Sequence, residues 1–90
     1  MIIAKVLIDE DIKRKILEKH GVYLEEIENG LLSGKPLFYK AKENKYIAFT
    51  FHHRFITIIF TYNHSSASIV TAYPSAQWQK NLYKKKMVKS

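Results

Sequence analysis

Four residues, His20, Arg54, Thr71 and Tyr73, are of types suited to work on a phosphate group. His20 ends a helical pattern, where the dipole favours the imidazolium and so a proton donor. Arg54 is the only arginine of the second half, and its planar fork fits a phosphate better than an ammonium does. Thr71 and Tyr73 lie two apart in a strand pattern and so share one face, with Ile69 beside them. A tyrosine there offers a hydroxyl to a phosphate oxygen and a ring to an unpaired base. Each has an ordinary alternative: His20 capping a free helix carbonyl, Arg54 solvated at a hairpin turn, Tyr73 packed before Pro74. Lys80 and Tyr83 flank the same cleft, and His53 adjoins Arg54 in the turn. Lys84 and Lys85 suit sequence-independent phosphate contact or simply a wet helix end.

Several chemistries are excluded or made remote. There is no cysteine, hence no thiolate nucleophile, zinc ribbon or disulfide framework. The eight Asp and Glu residues all lie between Asp9 and Glu43, so paired-carboxylate catalysis in the second half would have to borrow acids from the first. His52 and His53 are neighbours in a strand-like stretch and point to opposite faces, which does not suit a shared metal. No metal and no cofactor are expected.

That charge asymmetry also points to a partner. The net charge of +7 belongs almost wholly to residues 46–90, which hold Arg54, Lys80, Lys84, Lys85, Lys86 and Lys89 among aromatic residues. Such a surface concentrates polyanions, and nucleic acid is the leading class. Ninety residues at 47% hydrophobic make a single domain, 1–90, with residues 85–90 expected to fray. With no signal-like start and no apolar run near the ~20 residues of a membrane span, the chain reads as cytoplasmic, with no membrane contact.

The elements that must hold these side chains can be phased from the sequence. Ile2 to Ile8 is a β-branched run. Asp9 offers an N-cap, Ile12, Ile16 and Leu17 recur at helical spacing, and Gly21 stands where a left-handed C-cap belongs. A second helical pattern uses Leu24, Ile27 and Leu31 and ends at Gly34. From Pro36 the period becomes two, giving strands over 37–41, 46–51, 55–62 and 68–73 with short connections. Ile56, Ile58 and Phe60 share one face of their strand, as do Ile47, Phe49 and Phe51 of theirs. Ser75 is placed to cap a last helix with Trp78 and Leu82 inward. The order βααββββα is an α+β domain, helices on one face of a curved antiparallel sheet whose last strand is open to a partner by edge addition.

The segment Asp9 to Glu28, with Lys19-His20-Gly21-Val22 and then Glu25-Glu26-Ile27, resembles the front of BrnT-type toxins, RelE-like ribonucleases of toxin–antitoxin pairs. Ile69 to Pro74 and the basic helix after it are similar to the end of the broader barnase, colicin and RelE-like nuclease toxin group. BrnT-type proteins usually carry an arginine where Tyr73 stands, so the likeness there is to the wider group. The resemblance implies a RelE-like domain that cleaves RNA without metal: the 2′-hydroxyl attacks phosphorus and a 2′,3′-cyclic phosphate remains. That needs a proton acceptor, a cationic clamp and a donor for the leaving oxygen. On this reading His20, Arg54, Thr71 and Tyr73 are catalytic, His53, Lys80, Tyr83, Lys84 and Lys85 bind RNA, and a small acidic antitoxin covers the basic face. The competing reading is a non-catalytic RNA- or protein-binding module of the same fold.

Overall fold

The computed structural model describes residues 1–87. Asp9 and Gly21 bracket the first helix as their types require: the Asp9 carboxylate accepts from the Asp11 N–H at 2.8 Å, and Gly21, at φ 66°, returns its N–H to the Leu17 carbonyl. Helix α1 spans Glu10–His20. Helix α2 (Leu24–Glu28) starts where the Glu26 carboxylate reaches back to the Tyr23 N–H at 2.9 Å. It continues as a wider π-helical turn, Asn29–Ser33. Gly30 in that turn lies against the sheet so closely that a Cβ would sit 2.8 Å from Thr50 Oγ1.

The sheet contains β1 (Lys5–Leu7), β2 (Leu37–Lys40), β3 (Lys45–His52), β4 (Arg54–Asn63) and β5 (Ser66–Pro74), in the order β1-β5-β4-β3-β2. The last four form the expected antiparallel meander. His64 and Ser65, both at positive φ, make the two-residue turn from β4 to β5. β1 is shorter than the apolar run suggests and pairs parallel with Ser66–Ser68 of β5, so the sheet is mixed. The last strand is therefore interior at its start; β1 and β2 are the edges. β1 reaches its partner β5 only through the helices and three strands, a connection long enough to allow the parallel sense that a short turn forbids.

The register puts the two apolar stripes on opposite faces. Ile56, Ile58 and Phe60 lie with Ala48, Ala72 and Ile69 on the face packed against Ile16, Ile27 and Leu31 of the first two helices and Val22 of the link between them. Ile47, Phe49 and Phe51 lie with Phe55 and Thr57 on the other. Part of that second face is covered by α3 (Gln77–Met87), so helices flank both faces rather than one. The α+β class holds with this changed layering. Of the stretch 85–90 expected to fray, Lys85, Lys86 and Met87 are helical, and residues 88–90 lie outside those described. Among the described residues no helix is long and apolar enough to cross a membrane.

Candidate active site

A register slip in β5 shapes the site. Ile59 faces Thr71 but Phe60 faces Ile69, so Val70 is an extra, bulged residue. Ile69 consequently turns into the core, while Thr71 and Tyr73 turn to the α3 face. Expecting all three on one face failed because an uninterrupted period of two has no place for a bulge.

Beyond Ser68 the outer edge of β5 has no strand partner, and α1 runs beside it. Between them lies a groove of about 180 Å³ bordered by Lys15, Lys19 and His20 of α1 and by Val70 and Thr71 of β5. At its end the His20 and Tyr73 rings lie 5.9 Å apart between centroids, tilted by 53°. His20, Thr71 and Tyr73 are thus brought together from two distant stretches of chain. Lys15 was not singled out by the sequence, because its helical phase mattered only once β5 lay alongside.

Tyr73 is held by a buried polar chain that sequence reasoning missed. The Gln79 amide nitrogen donates to the Tyr73 hydroxyl at 3.1 Å. Gln79 Oε1 accepts from the Ala76 N–H at 2.8 Å and from the Thr57 hydroxyl at 3.0 Å. Since a backbone N–H can only donate, the orientation of the amide is fixed. Ser75 and Thr57 hydroxyl oxygens are 2.8 Å apart; with the Thr57 proton given to Gln79, Ser75 is the donor. The phenol oxygen of Tyr73 accepts within the protein and keeps its own proton for something outside. The sequence did hold a signal: Gln79 is the third residue of α3 and caps the N–H of the residue before it, half of a capping box. Phasing the helix on Trp78 obscured this. Trp78 is 62% exposed rather than inward, touching Phe49 edge-on at 6.1 Å, and Gln79 takes the buried position.

Arg54 is engaged from both sides. Nε and Nη2 donate to the two carboxylate oxygens of Glu26 at 2.6 and 3.0 Å, and Nη2 also donates to the Gly21 carbonyl at 2.8 Å. The basic half is therefore not without a counter-charge. Those hydrogen bonds hold the Glu26 carboxyl below the usual carboxylate range, with a further lowering from the Tyr23 N–H, against a smaller opposing effect of burial. They also raise the guanidinium further above its already high value. The ion pair ties the turn after His20 to the first residue of β4, and among the described residues Nη1 makes no hydrogen bond.

The expected binding residues gather around the β3–β4 hairpin. His53 is its tip, in the left-handed region at φ 74°, with the His52 ring 4.5 Å away. Lys80 and Lys84, one helical turn apart, bring their ammonium groups within 5.9 and 5.5 Å of the Phe55 ring centre. Tyr83 packs edge-on against the same ring and donates its hydroxyl to the Lys35 carbonyl at 3.0 Å; burial pushes its pKa up. Lys85 is exposed further along the helix. Among the described residues no three histidines or carboxylates converge as a metal site would need.

No family model matches the chain, and no curated protein matches it. Among solved structures it is similar to the crystal structure of the Brucella abortus ribonuclease toxin BrnT, with a TM-score of 0.66 and 23% identity over 81% of this chain and 97% of that one. The chain has the BrnT-type fold that the stretch from Asp9 to Glu28 suggested.

Proposed function

We propose that this protein is the toxin of a toxin–antitoxin pair and cleaves RNA by attack of the 2′-hydroxyl on the adjacent phosphorus. The observation that carries the reading is the meeting of His20 and Tyr73, 5.9 Å apart at the end of the lysine-bordered groove. It is supported by a fold shared with a protein described as a ribonuclease toxin. His20, as the imidazolium, gives its proton to O5′ as the P–O5′ bond breaks, while the 2′-hydroxyl releases its proton to water as the new P–O2′ bond forms, leaving a 2′,3′-cyclic phosphate. Tyr73, its oxygen already accepting from Gln79, donates its free proton to a non-bridging phosphate oxygen. Lys19 supplies positive charge beside it, and Thr71 orients the ribose or phosphate.

Arg54 acts mainly by positioning the end of α1, and only its Nη1 edge is left to meet a phosphate. His53, Lys80, Lys84 and Lys85 carry the flanking RNA, with Tyr83 buttressing them. A small acidic antitoxin neutralises this basic end in the cytoplasm. A second reading, a non-catalytic binding module, is favoured by one observation: Arg54 spends its fork on Glu26. The discriminating experiment incubates purified protein with single-stranded RNA in excess chelator and analyses the fragment ends. Cyclic phosphate ends produced by the native chain and absent with folded His20→Ala support the enzyme. Intact RNA that is nevertheless bound supports the module.

A further inference from the structure

The β3–β4 hairpin carries aromatic surface that the fold does not need. Phe51 is 45% exposed although it belongs to the apolar stripe of β3, and its ring lies 4.7 Å from that of Phe55. Phe55 in turn sits under the ammonium groups of Lys80 and Lys84. The exposed Phe51 ring, with two lysine ammonium groups over the Phe55 ring beside it, belongs to a surface that is both aromatic and cationic. It is well suited to an unpaired nucleobase, whose flat face stacks on the ring while its phosphate meets the ammonium groups.

We propose that Phe51 is the platform of a nucleobase-stacking subsite for single-stranded RNA, with Lys80 and Lys84 taking the neighbouring phosphates. The subsite extends the ribonuclease reading, on which its role in cleavage rests. Phe51 lies two strands across from Tyr73 and two residues nearer the hairpin tip, since Tyr73 faces Thr57, Thr57 faces Phe49 and Phe51 follows Phe49 by two. From strand spacing and rise this is a separation of about 12 Å, a few nucleotides of strand. Because α3 crosses the sheet between them, the strand passes around the hairpin end, beside Arg54. A duplex keeps its base faces stacked internally and cannot use Phe51, so the subsite selects unpaired RNA on one side of the cut.

The test uses a fluorescein-labelled 2′-O-methyl oligonucleotide, which lacks the attacking hydroxyl, as a single strand and annealed to its complement. Affinities are measured for the native chain and for Phe51→Ala, Phe51→Leu and Phe51→Trp, each checked for folding by circular dichroism and thermal melting. The subsite requires Phe51→Ala and Phe51→Leu to weaken single-strand binding by ~10-fold, Phe51→Trp to retain it, and duplex binding to stay unchanged. Unaltered single-strand affinity in folded Phe51→Leu overturns the proposal, as does an equal loss on strand and duplex. Phe51-dependent binding without cleavage of natural RNA leaves the subsite standing and removes the ribonuclease. Cleavage and binding both indifferent to Phe51 do the reverse.

Discussion

Within the candidate site, Tyr73 is an acceptor toward Gln79 and therefore a donor toward solvent. Tyr73→Phe should reduce RNA cleavage at least ~10-fold, the usual scale of one lost transition-state donor being larger, and should also lower the melting temperature, because the amide nitrogen of buried Gln79 loses its acceptor. Gln79→Leu should behave differently. It leaves the Ala76 N–H without its acceptor and takes from the Thr57 hydroxyl one of its two partners, Ser75 remaining, and an unfolding titration in urea should register a loss of about 1–3 kcal/mol. The contrast in cleavage, rather than in stability, separates a residue that faces the substrate from one that positions it. His20, Thr71 and Tyr73 were legible as candidates because His20 and Tyr73 are chemically distinctive types at recognisable element ends and Thr71 stands two residues before Tyr73 in the same strand pattern. Gln79 was not, since a neutral amide beside a tryptophan ordinarily belongs outside and the apolar residue inside. Here the bonds that Gln79 makes to the Thr57 hydroxyl, the Ala76 N–H and the Tyr73 hydroxyl override the burial of one indole ring, which remains mostly in water.

The next scale concerns how α1, α2 and β4 are tied together. The Arg54–Glu26 pair, with its third bond to the Gly21 carbonyl, fixes the end of α1 against the start of β4. Glu26 has a carboxyl held below its ordinary value, so the pair stabilises the folded state above the pKa of the unfolded chain, and that support fades as pH falls through the lower folded value. Glu26→Gln should therefore lower the midpoint of thermal melting at neutral pH, and the gap to the native chain should close in acid. With both side chains partly solvated the neutral-pH cost should be on the order of 1 kcal/mol. Gly21→Ala should cost a similar ~1 kcal/mol at every pH, because its strain at positive φ is steric. The helix boundaries and four of the strands were readable from caps and periodicity. The bulge at Val70, the parallel pairing of β1 and the opposite facing of the two stripes were not, because each depends on which residue faces which across the sheet, and a single chain's pattern leaves that open.

Taken as a whole molecule, the chain divides its charge as its sequence does, and one end of the sheet collects the consequences. His20, Arg54, Tyr73 and Lys80 come from four elements, yet contacts link them around the start of β4 and the end of β5. Affinity for single-stranded RNA should fall steeply with salt, and a Lys84→Ala, Lys85→Ala double variant should flatten the logarithmic slope by about 1.4, at ~0.7 for each of the two lost phosphate contacts. The Asp9–Glu28 likeness anticipated the BrnT-type fold that the structural comparison supports. The reaction is the central claim, and it is tested most directly in living cells: inducible expression in a bacterial host of the native chain beside His20→Ala, with growth and total RNA integrity followed together. The account predicts growth arrest with RNA fragments ending in cyclic phosphate from the native chain and neither from a folded His20→Ala protein. Equal RNA breakdown from both proteins, or normal growth with intact RNA from abundant folded native protein, would contradict it.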